Sequence, residues 1–386
     1  MRATDKKQTI IMFANTDWYL YNFRRSLIRE YQRHGFEVVL LSPGEYYAAK
    51  LLDEGFNWIK IPLITKSMNP YREFRVLMQL FSIFRRHKPV LLHNFTIKPA
   101  LYGSLIARLM GGVQIVNGIT GLGHVFTAPG VKAWVIRGFV KLLYRMILSS
   151  PAVQVIFQNE DDREVFVGEK LVTSRQANIV RGSGVNCELF KPRKERRGQK
   201  RVKVLFASRL LKEKGICELL EAKELLKNSS VNCEILIAGD IYTENPSSLS
   251  RSEAEQLDDG LWVRYLGHVE DMPSLILQSD IVVLPSYREG TPKILLEAAA
   301  CGKPIIASDI AGCRGIVQDG INGILVPVKD VRRLAQALEL LISQPELRSD
   351  FGKNSRQIAL QYFDERIINH QTLDVVRALS LSCPMS

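Results

Sequence analysis

Short runs of consecutive apolar residues recur along the chain, and a stretch with helical spacing follows almost every one of them. In the first half, runs near 9–14, 37–41, 90–93, 113–117, 153–157 and 177–181 predict buried strands. Segments near 22–34, 70–87, 98–110, 131–149 and 159–168 carry the apolar period of helices. Strands that lack polar alternation belong to parallel sheets covered on both faces. The run Lys191-Pro-Arg-Lys-Glu-Arg-Arg-Gly-Gln-Lys200 is charged and aperiodic and reads as a linker. The pattern restarts with Val202–Ala207, Cys233–Ala238, Val263–Leu266, Ile281–Leu284, Pro304–Ala307 and Gly323–Val326. Residues 241–260 read as a surface loop with a short helix, and 330–380 as mostly helical. The expected architecture is α/β: two tandem, doubly wound domains whose ligand loops lie at the carboxyl ends of the strands and face each other across a cleft.

Charge changes this picture in one half only. The chain of 386 residues has a formal net charge of +12. Residues 1–190 hold 25 Lys and Arg against 14 Asp and Glu, so the first half carries +11 and the remainder +1. The basic half is expected to meet an anionic partner. Six scattered cysteines, without Cys-x-x-Cys or a histidine at metal-ligand spacing, argue against a disulfide framework or a zinc site and fit a reducing cytosol. The apolar run Thr9–Ala14 is too short for a signal segment, and no run approaches the ~20 residues that span a bilayer.

The densest chemistry lies in Glu289-Gly-Thr-Pro-Lys-Ile-Leu-Leu-Glu297. The buried run Ile281–Leu284 leads into a loop, Thr291 suits an N-cap, Pro292 suits the first helical position, and Cys301-Gly302 stops the helix. A helix start at the end of a parallel strand offers N–H donors and a positive dipole end to a phosphate. About 8 Å of helix rise separates Pro292 from Glu297, so two carboxylates can grip separate hydroxyls. Arg209 and Lys214 follow the strand ending at Ala207. They either converge on one pyrophosphate, as fork and point charge, or form a solvated charged loop.

The paired glutamates with seven residues between them resemble the signature of the retaining glycosyltransferases of family 4, which have the GT-B fold. The resemblance extends to Cys301–Ser308, Asp319–Val326 and Phe206–Gly215, covering most of the second half, and holds more loosely in the first. It implies that Arg209 and Lys214 bind the donor diphosphate. It further implies that Val269, beside Gly267, holds the nucleotide base by main-chain contact. Gly290, Thr291, Pro292 and Lys293 would lie near the distal phosphate or donor sugar; proline has no N–H, so Thr291 and Lys293 carry that role. Glu289 and Glu297 would meet the transferred sugar and the ribose. Arg209, Lys214 and the helix dipole would stabilise the leaving diphosphate without metal. The sequence has no Asp-x-Asp, the metal-binding signature of the other major glycosyltransferase fold. Configuration at the anomeric carbon would be retained by attack from the face that the diphosphate leaves.

On the acceptor side, the family's Gly-Gly turn is replaced by Ala14-Asn-Thr-Asp-Trp-Tyr-Leu-Tyr-Asn-Phe-Arg-Arg25. Arg24, read as beginning a helix, either reaches the cleft or makes a surface ion pair. His93–Pro99 and Asn117–Phe126 resemble a subgroup that builds lipid-linked bacterial surface glycans such as O-antigen units. In that light Lys98 is a candidate for an acceptor phosphate, and Thr120, Gly121 and His124 for orienting the acceptor; His124 is alternatively structural. Where many members have a histidine, this chain has Asn117-Gly118. The helix from Val131 to Ser149 sets Arg137, Lys141 and Arg145 on one side, which fits either a membrane interface or a packed helix with snorkelling cations.

The expected function is therefore a metal-independent, retaining transferase moving a sugar from a nucleotide sugar, expected to be a UDP-linked hexose or N-acetylhexosamine, to a polyprenyl-diphosphate-linked saccharide of O-antigen, lipopolysaccharide or capsule type. No cofactor is expected beyond that co-substrate, and no nucleic-acid partner. The expected location is peripheral, on the cytoplasmic face of the inner membrane. Residues 1–190 would form the acceptor domain, 191–365 the donor domain, and 366–386 a helix crossing back. The rivals are a nucleotide-sugar epimerase of the same fold and a non-enzymatic binder of anionic surfaces.

Overall fold

The computed structural model describes residues 7–64, 69–121, 131–193, 201–227, 229, 231–242 and 245–382. The chain divides into two compact units: residues 1–183 together with 369–386, and residues 184–368.

The first unit holds strands β1 (Thr9–Phe13), β2 (Glu37–Ser42), β3 (Asn57–Lys60), β4 (Leu91–Phe95), β5 (Gln114–Ile119), β6 (Val153–Phe157) and β7 (Ala177–Ile179). They form one sheet in the order β3-β2-β1-β4-β5-β6-β7, every pair parallel. The second unit holds β8 (Val202–Ala207), β9 (Cys233–Ala238), β10 (Val263–Gly267), β11 (Ile281–Leu284), β12 (Ile305–Ser308) and β13 (Gly323–Val326), in the parallel order β10-β9-β8-β11-β12-β13. Ile10–Phe13 and Ile281–Leu284 are buried throughout, as expected where both sheet faces are covered. Each order reverses once, between β1 and β4 and between β8 and β11. Those reversals are where open α/β sheets bind ligands.

Several expectations need adjusting. The helix placed near 22–34 runs from Asp17 to Arg33, with the Thr16 hydroxyl accepting from Tyr19 N–H as its cap. Strand β3 and the helix Tyr46–Asp53 lack a sequence counterpart above. The Asp17 carboxylate, 28 and 31 residues away in sequence, accepts from the N–H groups of Glu45 and Ala48 and so caps that helix from a distance.

Candidate active site

In the second unit the loops after β8 and β11 are joined at the strand-order reversal. Leu210 and Leu211 are buried and anchor the first loop. A 3₁₀ turn, Lys212–Lys214, carries it into the helix Ile216–Leu226. Gly215 lies between them at φ +78°, and a Cβ there would stand 2.1 Å from the Pro285 carbonyl oxygen, so no other residue allows the loops to approach this closely. Two hydrogen bonds close the seam: Tyr287 N–H and the Ser286 hydroxyl both donate to the Glu213 carbonyl, at 2.8 and 3.2 Å.

This seam places the Lys214 ammonium 2.5 Å from Glu289 Oε1, with both side chains mostly covered. The Glu289 backbone is held from the far side by Gly312, whose Cβ position lies 2.2 Å from the Gly290 carbonyl oxygen and 2.5 Å from that of Glu289. The helix that follows spans Lys293–Ala300, so Pro292 rather than Thr291 takes the N-cap position, and no side chain caps this end. The proline's fixed φ of −70° is accommodated there in extended backbone, which the expected first-helical placement of Pro292 did not anticipate. Glu297 is only 6% exposed and has Lys293 as its counter-ion at 3.5 Å. Burial pushes its pKa above the usual carboxyl value, and Lys293 opposes that rise.

Arg209 projects from the same loop as Lys214 but is exposed, with its guanidinium over the Tyr242 ring at 5.1 Å. Gly267 ends β10 at φ +62°, and its carbonyl accepts from Gly239 N–H at 2.7 Å. Val269 packs partly buried against the core, while His268 is engaged by Asp240 at 3.0 Å. Glu289, Gly290, Lys214 and the start of the Lys293 helix thus form one cluster, and Arg209, Gly267 and Val269 lie on the neighbouring loops of the same sheet edge.

The first unit has its own pocket at the carboxyl ends of β4, β5, β6 and β7, lined by Arg24, His93, Phe95, Gly118, Thr120 and Thr372 among others. Arg24 does not begin its helix and is not a surface residue. It sits in the second turn of Asp17–Arg33, 7% exposed. Its Nε and Nη2 donate to the Tyr19 hydroxyl at 3.1 and 2.6 Å, and its Cζ lies 4.4 Å from the Phe95 ring centroid. His93 is buried with Nδ1 3.1 Å from the Tyr31 hydroxyl. Burial, with Arg24 adding repulsion, drives its pKa well below the usual imidazole value, so the ring is neutral.

Thr120 joins this pocket, and Gly121 follows it at φ +135°. Lys98 does not join it: its ammonium pairs with Glu73 at 2.9 Å and donates to the Ile64 carbonyl at 2.8 Å, so its charge is already matched. His124 lies outside the described residues. On the helix Val131–Leu148, Lys141 pairs with the Glu169 carboxylate at 2.7 Å and Arg145 donates to the Glu169 carbonyl at 3.0 Å. Two cations of the expected membrane stripe therefore serve packing within the unit.

Comparison with known proteins places the chain in a family. The model for glycosyl transferases group 1 matches residues 189–358, and the glycosyl transferase 4-like model matches residues 9–159. The chain is 30% identical over 365 residues to the N,N'-diacetylbacillosaminyl-diphospho-undecaprenol alpha-1,3-N-acetylgalactosaminyltransferase of Campylobacter jejuni, covering 92% of this chain and 94% of that one. It belongs to glycosyltransferase family 4. A second relative is the UDP-Gal:alpha-D-GlcNAc-diphosphoundecaprenol alpha-1,3-galactosyltransferase of Escherichia coli, 24% identical over 85% of this chain and 86% of the other. The sucrose-phosphate synthase structure from Thermosynechococcus elongatus superposes with a TM-score of 0.79 at 20% identity, over 98% of this chain and all of the other, which fixes the fold as GT-B.

In this glycosyltransferase the segment His93–Pro99 stood out in the sequence, but no role fell to His93 or Phe95, which both line the first-unit pocket. Tyr31 stands behind His93, its hydroxyl against the ring Nδ1. A histidine inside an otherwise apolar strand, Leu91-Leu-His-Asn-Phe95, was the available signal.

Proposed function

We propose that this glycosyltransferase moves a sugar from a nucleotide sugar, taken here as a UDP-sugar, to a polyprenyl-diphosphate-linked saccharide, with retention of anomeric configuration and without a metal ion. The observation that carries the proposal is the meeting of Lys214 and Glu289 at the β8–β11 reversal, beside an uncapped helix start. A diphosphate seated there would meet the Lys214 ammonium, the positive end of the helix and, from the loop, the Arg209 guanidinium. Such fixed positive charge can stabilise the departing nucleoside diphosphate as its negative charge grows. Glu289 would orient Lys214 in the empty site and meet the sugar in the loaded one. Both named relatives act on diphospho-undecaprenol acceptors, and the second uses a UDP-sugar, which supports the acceptor class and the donor nucleotide.

An anionic membrane surface would present such an acceptor. Among the described residues of the first unit, the surface suited to it is the helix Pro70–His87, whose exposed face sets Tyr71, Phe74 and Met78 beside the exposed cations Arg72 and Arg75. Its opposite face, Val76, Leu80, Ile83 and Phe84, is buried.

The test is a screen of nucleotide sugars for transfer to synthetic polyprenyl-diphosphate sugars, run with and without chelator, with the product linkage and anomeric configuration resolved by NMR. Transfer at undiminished rate in chelator, with retained configuration, is expected. Strict dependence on an added divalent ion, or isomerisation of the donor without any acceptor, would overturn the proposal.

A further inference from the structure

We infer that the Arg24 pocket of the first unit is an anion site that receives one phosphoryl group of a diphosphate. Arg24 is a cation removed from water, and among the described residues no carboxylate pairs with it. Among the described residues, its hydrogen bonds are the pair that Nε and Nη2 donate to the Tyr19 hydroxyl. A guanidinium has five N–H donors, so the Nη1 edge has no protein acceptor among the described residues. The faces of Phe95 and Tyr19, at 4.4 and 5.3 Å, offset part of the desolvation through their quadrupoles. A ring face is a weak acceptor compared with an oxyanion, however, and a buried charge without an ionic partner is costly. The fold tolerates that cost at a position that opens into a pocket.

The chemistry of the walls fits an oxyanion and disfavours a cation. The neutral His93 contributes no second charge, and Tyr31 holds its Nδ1 in place. Thr120, Gln158 and Thr372 add polar side chains to a lining that also holds Ile119, Ile156 and Val180. The enclosed part holds little more than one water-sized group, so a ligand reaches Arg24 with one end and lies mostly outside. A planar guanidinium presenting one edge matches two oxygens of a phosphoryl group. The site lies at the carboxyl ends of parallel strands, where such groups are bound in this architecture.

The identity of the diphosphate rests on the transferase reading above; the charge argument does not. Two sources share this chemistry: the lipid-linked acceptor and the nucleotide donor. Inorganic pyrophosphate is titrated calorimetrically into the full chain carrying Arg209→Ala and Lys214→Ala, which removes the cations of the second unit. Binding that weakens about tenfold or more on adding Arg24→Gln, and less on adding Arg24→Lys, is the expected result. Equal binding with and without Arg24→Gln overturns the site; the Arg24→Lys variant, which keeps the charge and stem, decides the matter if Arg24→Gln fails to fold.

Steady-state rates on Arg24→Gln alone separate the sources. A rise in KM for the polyprenyl-diphosphate acceptor assigns the anion to the acceptor, and a rise in KM for the donor assigns it to the donor diphosphate. Neither shift, with pyrophosphate binding unaltered, leaves no anion site at Arg24. If the unsubstituted chain transfers no sugar at all, the transferase reading fails while the pyrophosphate titration still decides this one.

Discussion

Lys214 and Glu289 are 75 residues apart in sequence and 2.5 Å apart in the fold. The contact exists because β8 and β11 are sheet neighbours at the reversal of strand order, and because Gly215 lets the two loops touch. Each charge is mostly shielded from water, so removing one partner strands the other. Lys214→Ala is expected to lower kcat/KM by roughly 100-fold or more, in the range seen when a preorganised electrostatic group is lost. Each single variant, Lys214→Ala or Glu289→Ala, is expected to cost about 1–3 kcal/mol of stability, with the double variant costing less than their sum. Denaturant titrations of the four proteins in the cycle measure the coupling; additive losses would show that the pair does not interact.

Arg209 offers a cleaner separation of binding from folding. Its side chain is exposed and its stacking partner, Tyr242, is itself on the surface. Arg209→Ala is therefore expected to leave stability within about 0.5 kcal/mol of the parent. Affinity for the nucleoside diphosphate should fall roughly 10- to 100-fold, the loss of one charge-assisted contact. Calorimetric titration with UDP, beside a thermal melt, checks both halves of the expectation.

Gly312 tests whether the backbone of Glu289 must be where it is. An added methyl would stand 2.2 Å from the Gly290 carbonyl oxygen, and backbone cannot swing aside as a side-chain end can. Gly312→Ala is expected to displace the Glu289–Gly290 segment and reduce turnover by at least about tenfold, since small misplacements near reacting groups are expensive. Residue 312 itself has no side chain with which to contact substrate. A fully active Gly312→Ala enzyme would show that the position of Glu289 is not critical.

The two parallel sheets, β3 apart, and the strand-loop-helix segment around Glu289 were legible because their determinants are local: unbroken apolar runs, turn residues, and paired glutamates around Gly-Thr-Pro. What escaped depends on distant partners. The helix Tyr46–Asp53 is short and is capped by Asp17 from an earlier element, so no local cap announces it. Strand β3, Asn-Trp-Ile-Lys, is four residues at a sheet edge and only half buried, without an apolar run to mark it. Lys98 looked available for a phosphate until the fold brought Glu73 to it, and Arg24 stood open between the cleft and a surface ion pair until Tyr19 and Phe95 closed around it. Charge pairing across 25 residues leaves no periodic trace in sequence.

Membrane contact should depend on the helix Pro70–His87 more than on Val131–Leu148. Tyr71, Phe74 and Met78 recur on one exposed face, with Arg72 and Arg75 beside them. Burying two such apolar side chains in a bilayer interface is worth about 1.5–3 kcal/mol each when complete. Phe74→Ser with Met78→Ser is expected to reduce co-sedimentation with vesicles containing anionic lipid by about tenfold or more, and high salt should weaken the parent's binding as well. Lys141→Ala, which breaks an internal pair with Glu169, should leave vesicle binding nearly unchanged. The reverse pattern would move the contact to the other helix.

Glu297 is expected to set donor binding against stability. Burial raises its pKa above the ordinary carboxyl value while Lys293, at 3.5 Å, opposes the rise. A carboxyl whose pKa is raised on folding holds more proton in the folded chain than in the unfolded one. Its contribution is fully favourable below the unfolded value and declines as pH climbs through the raised one. Glu297→Gln removes that decline, and Lys293, whose side chain is 30% exposed and 3.5 Å away, keeps contact with water when its counter-ion is lost. The substituted protein should match the parent's melting temperature in acid and exceed it by a few degrees at most above neutrality. Donor binding should suffer at every pH, because a carboxamide presents one acceptor where the carboxylate presents two. Melting curves across the acid-to-neutral range, read beside donor KM, would reveal the trade; an identical melting profile for both proteins would mean that Glu297 is not under desolvation strain.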